Sequence, residues 1–284
     1  MVGVRKPVLL LLGAALSMPA LGQATGERVD LYFGDWRTSA PHTIRGSLEQ
    51  RNILTRGDAM NPTQTGAVLR YLNSYTYATV APHASTKAAR LETQQEIYFV
   101  ESGRGLATAA GQTADLYRQV AVLIPANLEF TIKNTGDQPL TMYVINEPTP
   151  AGFRPNANIL VRDESKLPIS SSTGMWSHIV KTIFTTEDGL ATLQTVLTVR
   201  LDPLTIGKPH PFPGEDSNEI EEVWTALDGT SLAFVGNQLR RQTPGMAFYH
   251  IPNNQTPHTN INQKEDTPVR FLYFARYRGH ETRR

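Results

Sequence analysis

Cysteine is missing from this chain altogether. Its absence excludes disulfides, thiolate-bound metals and a lipid-bearing N-terminal cysteine. One-sided charge is missing too: Lys and Arg number 27, Asp and Glu 26, for a net charge of +1 over 284 residues. A nucleic-acid binder carries a basic excess or stripe, so no nucleic-acid partner is expected. Past the first residues no apolar run approaches the roughly 20 residues that a membrane-spanning helix needs. Helical periodicity is scarce as well. What remains is 40% hydrophobic residues, enough to build a core for one large domain or two small ones.

The first residues read as an address. Arg5 and Lys6 precede the apolar stretch Pro7–Leu21, and Ala20 and Gly22 are small residues at the −3 and −1 positions of a cut before Gln23. That is the layout of a cleavable secretory signal. Residues 1–22 are expected to be removed, leaving an exported protein, periplasmic or extracellular, with no membrane association.

The rest alternates short β-branched and aromatic runs with turn signals. Examples are YTYATVAP (Tyr75–Pro82), EIYFVESGRG (Glu96–Gly105), EVWTALDGTS (Glu222–Ser231) and VRFLYFARY (Val269–Tyr277). Strands at such spacing, broken by Gly, Pro, Asn and Asp, indicate an all-β sandwich or barrel. The Pro-, Asn- and Ser-rich stretch Asn146–Gly174 reads as a linker wrapping the surface.

The chain also repeats itself. Glu96 stands seven residues before Gly103, as Glu222 does before Gly229, an offset of 126; Pro125 and Pro252 are offset by 127, Asn134 and Asn262 by 128, and Pro82 and Pro203 by 121. Four anchors in one order, with small drifts placed in loops, indicate a duplicated β-domain.

Each half resembles the cupins, whose first motif is a His-x-His pair, then a glutamate, then a glycine seven residues on. Their second motif is a proline followed by a histidine and often an asparagine. The resemblance covers about residues 65–145 and 185–277. It implies two tandem double-stranded β-helix barrels of jelly-roll type. The expected layout is an N-terminal extension over 23–64, a first barrel over 65–146, a linker over 147–184, a second barrel over 185–278 and a tail over 279–284. Counting from the shared glutamate places the histidine pair of the first half at Ala89 and Leu91, and the 121 offset carries them onto His210 and Phe212. The second-motif histidine falls on Phe130 in the first half and His258 in the second.

The first barrel therefore keeps one motif carboxylate, Glu96, among Ala89, Leu91 and Phe130. One carboxylate cannot hold a divalent ion, so this barrel is expected to be structural or an apolar pocket, with Glu96 exposed or locally hydrogen-bonded. The second offers His210, Glu222 and His258. Two imidazoles and a carboxylate are a minimal set for iron, manganese, zinc or nickel, with positions left for substrate. Phe212 replaces a family ligand, and the insertion Pro213–Ser217 brings Glu215 close by. Neighbouring strand residues face opposite ways, so only one of Glu221 and Glu222 can look inward; the repeat favours Glu222. By the same alternation Trp224 and Tyr98 share the face of their motif glutamates. Phe212, Glu215, Trp224 and His250 are candidate pocket residues. His42, His83, His178 and His280 match no motif. Asn134 and Asn262 are expected to stabilise turns.

Two functional readings stay open at this point. One is an exported bicupin with a divalent metal in its C-terminal barrel, acting on a small organic molecule as an oxygenase or another metal-dependent enzyme. The other is a small-ligand-binding or structural bicupin with a degenerate site. A monomer that pairs its own two barrels and a homodimer are both compatible with the duplication.

Overall fold

The structure, a computed structural model, describes residues 27–170, 176–211 and 219–277. The expected secretory signal, the tail, Phe212 and Glu215 lie outside the described residues. Among those described, no helix is long and apolar enough to cross a membrane. Among the described residues, apart from one short helical turn, Glu27–Asp30, and short 3-10 turns, the regular structure is strand.

Each half builds a large sheet and a four-stranded small sheet. In the C-terminal barrel the large sheet runs, in spatial order, Phe33–Asp35, Met246–Tyr249, Glu221–Asp228, Val269–Arg276, Thr195–Leu201, Ile179–Thr185. Its small sheet runs Thr205–Ile206, His258–Asn262, Ser231–Val235, Gln238–Gln242. The N-terminal barrel repeats this order with Leu160–Asp163, Val120–Ile124, Gln94–Ser102, Leu140–Pro148, Ser74–Val80 and Leu48–Arg56, extended by His42–Ile44. The all-β, two-barrel reading is the observed architecture.

The sheets reach past the spans expected for them. Leu48–Arg56, in the presumed extension, is an integral strand of the first large sheet, and Ile179–Thr185, in the presumed linker, is one of the second. The outermost strands are exchanged: Phe33–Asp35 pairs with Met246–Phe248 of the second barrel, and Leu160–Asp163 pairs with Val120–Leu123 of the first. Each half thus covers an otherwise open edge of the other. Pro- and Asn-rich composition hid the linker strands because turn residues outnumber the short β runs between them.

The two large sheets pack against each other. Tyr75 meets Phe274 edge-on at 4.9 Å between ring centroids, and its hydroxyl bonds Thr225 Oγ1 at 2.7 Å. Two buried carboxylates fasten this contact reciprocally. Glu221 faces away from its own barrel and accepts the backbone N–H groups of Arg70, Tyr71 and Leu72 at 2.6, 3.1 and 3.0 Å. Glu147 does the same for Ala191, Thr192 and Leu193, each at 3.0 Å. Burial pushes both carboxyls up, against the pull of those backbone donors. Asn134 and Asn262 are turn pins, as expected: their side chains donate to Gln138 O and Thr267 O, and accept from Gly136 N and Lys264 N.

Candidate metal centre and ligand pocket

Strand register aligns the barrels residue by residue. Phe130 pairs with Ala89 in the first half, and His258 bridges His210 in the second, so Ala89 and His210 are equivalent positions. Glu222 and Trp224 lie two apart on one strand and project into the barrel. Trp224 Nε1 donates to Glu222 Oε1 at 2.5 Å, and Tyr273 OH donates to Oε2 at 3.0 Å. His258 Nε2 lies 2.9 Å from Oε1, with both side chains almost fully buried. Burial alone would raise the Glu222 carboxyl. The neighbouring His258, its hydrogen bond and that of Trp224 outweigh it and hold the group below the usual carboxylate range.

The histidines gather around this carboxylate. His210 stands 4.7 Å from His258 and His250 stands 4.2 Å from it, ring centre to ring centre. His250 is 1% exposed, so it faces the protein interior and not solvent. Its backbone N–H bonds Glu222 O, which makes it the equivalent of Ile124, the cross-strand partner of Glu96. Burial, then the proximity of His258, pushes the imidazoles of His210 and His250 below their ordinary range.

The expected donors thus come together, and their chemistry suits a divalent ion. His210 Nδ1 is 2.8 Å from Lys208 O, so that nitrogen carries the proton and Nε2 the lone pair. A backbone carbonyl in that position is how metal-binding imidazoles are commonly oriented. The 2.9 Å between His258 Nε2 and Glu222 Oε1 is near the separation of two donors on one ion at bond lengths of about 2.1 Å. The cage is not closed, however: among the described residues no group of three His, Cys, Asp or Glu side chains stands in metal-holding arrangement. Glu222 Oε1 is engaged by both His258 and Trp224.

Beside these donors lies a cavity of about 170 Å³ on the inner face of the large sheet. Val180, Leu197, Val199, Trp224, Tyr273 and Tyr277 form its apolar and aromatic wall, and His178, His210 and Glu222 its polar positions. The volume is close to the roughly 150 Å³ cavity that accepts a benzene ring. Tyr273 and Tyr277 share a 2.5 Å hydrogen bond, and burial keeps both phenols protonated.

His178 belongs to no motif, and only the strand register reveals its place: Ile179 pairs with Arg200 as Glu49 pairs with Thr79, so one step back Leu48 of the first half becomes His178 of the second. Burial pushes its imidazole down to about 4.

The N-terminal barrel is arranged differently. Arg45, in a turn with positive φ at both Arg45 and Gly46, inserts its guanidinium beside Glu96. It bonds the carboxylate through two nitrogens at 2.8 and 2.7 Å and Tyr98 OH at 2.6 Å, and it sits 4.8 Å from the Phe130 ring centre. Glu96 is therefore buried and ion-paired, not exposed. Tyr98 and Asn146 donate the remaining hydrogen bonds to it.

Residues 76–146 match the family model described as Cupin domain. The fold is also similar to that of solved structures. AerE from Microcystis aeruginosa is 13% identical, with 87% of this chain and 99% of that one covered and a TM-score of 0.63. A point mutant of the oxalate decarboxylase of Bacillus subtilis is 10% identical, with 87% and 77% covered and a TM-score of 0.62. A cupin 2 conserved barrel domain protein from Leptotrichia buccalis is 14% identical, with 84% and 92% covered and a TM-score of 0.53. No curated protein matches the chain by sequence.

Proposed function

Starting from a chain whose residues 76–146 match a cupin domain and whose fold carries two barrels in tandem, we propose that the C-terminal barrel is its working half. In this reading it binds a small organic molecule in the cavity beside Trp224 and holds a divalent ion through His210, Glu222 and His258. The N-terminal barrel serves as scaffold. The protein works after export, in a periplasm or outside the cell, as its N-terminal address suggests.

One observation carries this reading. Where the first barrel is filled by the Arg45 guanidinium, the second keeps an open volume of about 170 Å³ bounded by His178, His210 and Glu222. A divalent ion there would supply Lewis acidity. The chain's own contributions are separable from it. Trp224 gives a ring-sized molecule a flat wall, the surrounding aliphatic side chains exclude water, and Tyr273 and Trp224 keep the Glu222 carboxylate oriented. A second reading, ligand binding without metal or catalysis, is favoured by the hydrogen bonds that already occupy both Glu222 oxygens.

Measuring metal per chain after purification from metal-replete medium separates the two. Near-stoichiometric metal, lost in His258→Ala and His210→Ala with the fold retained, supports the first reading. Less than about a tenth of an equivalent, unchanged by His258→Ala, leaves the second, because a site lacking its donors loses affinity by orders of magnitude.

A further inference from the structure

We infer that the C-terminal pocket takes a small alkylated ammonium ion, held by the Glu222 carboxylate and the aromatic wall of Trp224, Tyr273 and Tyr277. The inference rests on the second reading of the site, ligand binding without metal, and adds the chemical class of what enters it.

The first barrel shows the pattern within its own chain. There the motif carboxylate, Glu96, holds the Arg45 guanidinium through two nitrogens at 2.8 and 2.7 Å, and the same cation stands 4.8 Å from the Phe130 ring centre. The second barrel repeats the carboxylate as Glu222 and sets aromatic rings beside it. Among the described residues, however, no Lys or Arg lines its cavity. Neither lining histidine replaces that charge: burial holds the imidazoles of His178 and His210 below their ordinary range, so both are neutral at pH 8. His258 faces Glu222 from the small sheet and does not line the cavity. Glu222, held below the usual carboxylate range, is ionised at the same pH. A buried carboxylate on a cavity wall is matched best by a positive charge, and here the charge has to arrive with the ligand.

The rest of the wall selects the kind of cation. Trp224 and Tyr273 meet at 4.8 Å between ring centres with their planes 70° apart, and Tyr277 is hydrogen-bonded to Tyr273. Aromatic rings gathered in this way are the walls of the cages that recognise quaternary ammonium groups. Both Glu222 oxygens already accept hydrogen bonds, from Trp224, His258 and Tyr273. The carboxylate therefore offers charge and little bonding capacity, which favours an ammonium carrying methyl groups over one carrying N–H donors. Val180, Leu197 and Val199 give those methyl groups apolar contact. The cavity of about 170 Å³ exceeds the roughly 150 Å³ that admits benzene, and choline is only slightly larger than benzene.

The test compares choline with 3,3-dimethylbutan-1-ol, its uncharged carbon isostere, on the full mature chain at pH 8 by calorimetry and ligand-observed NMR. Metal is measured first in the purified protein, and a chelator is then kept present. Choline is expected to bind at least about tenfold more tightly than the alcohol, the worth of a cation on desolvated aromatic faces. Glu222→Gln and Trp224→Leu should each cut that preference severalfold while the alcohol still binds, which shows that the pocket is intact. The wild-type comparison decides the matter even where a variant fails to fold. Equal binding of the two probes by the wild type, or a preference unchanged in a folded Glu222→Gln variant, overturns the inference and leaves the metal-free reading standing. Near-stoichiometric metal in the purified chain overturns that reading and the inference with it.

Discussion

The two barrels share a fold and a motif glutamate, yet they answer the same electrostatic problem in opposite ways. A carboxylate buried in a β-barrel must be matched by positive charge or by hydrogen-bond donors. The first barrel supplies a permanent cation from its own chain, Arg45, and packs the rest with Ala89, Ile124, Phe130 and Ile132. The second places His210, His250, His258 and Asn260 at those positions. A fixed internal cation closes a site; a ring of imidazoles beside the carboxylate leaves room for a ligand. The duplication thus separates a stable half from a responsive half.

The largest effect should come from breaking the first barrel's solution. Arg45→Met strands Glu96 as a buried charge, which costs about 3–5 kcal/mol when one partner of a buried ion pair is removed. The double variant Arg45→Met/Glu96→Leu should regain most of that loss. His258→Leu in the second barrel should cost less: each carboxylate keeps two other donors, but Arg45 gives Glu96 two charge-assisted bonds and His258 gives Glu222 one. Equilibrium urea unfolding of the three variants checks this. Equal costs for Arg45→Met and His258→Leu would erase the distinction between the barrels.

A middle-sized effect concerns what the halves have in common. Glu221→Gln and Glu147→Gln each turn an acceptor oxygen into a donor facing backbone N–H groups. Each should lower stability by about 1–3 kcal/mol, the cost of leaving buried donors unsatisfied. The two losses should be alike, since each carboxylate caps the matching turn of the other barrel. Unfolding midpoints that differ widely would show that the contact between barrels is not reciprocal in energy.

Much of this was legible from sequence, and the limits have physical causes. The repeat anchors fell in strands whose inward faces are constrained by packing, so Glu96, Glu222 and the equivalence of Ala89 with His210 could be read by counting. Strand alternation separated Glu222 from Glu221 correctly. Arg45 and His178 could not be read that way. Both lie in stretches that precede the motif strands, where the offset between halves drifts to 130 and turn residues mask short β runs. Neither belongs to a motif, because their roles come from tertiary placement: one reaches a barrel from a hairpin turn, the other from the edge of a sheet. The closure of a metal cage was likewise beyond counting, since it depends on how the donors are placed in three dimensions.

The smallest effect is a difference in pH response. His178, His210 and His250 are held below the ordinary imidazole value of 6.5, His178 down to about 4, chiefly by burial. Over that window the unfolded chain takes up protons that the folded barrel refuses. Their contribution to stability is therefore full above about pH 6.5 and is lost as pH falls toward 4. Glu222, also held low, adds a loss of the same sign at the acid end. Glu147 and Glu221 are held high and act oppositely, losing stability as pH rises above the ordinary carboxyl range, so the wild-type curve mixes two trends. The difference between variants isolates the histidines. His250→Ile installs the side chain that the first barrel carries at the same place, Ile124. Measured with a chelator present, it should leave the Glu147 and Glu221 trend intact and flatten the acid-side loss, so that its stability relative to wild type improves as pH drops from about 6.5 to 4. A relative stability independent of pH would mean that the buried imidazole does not refuse its proton. The responsive character assigned to the second barrel would then have to rest on the pocket alone.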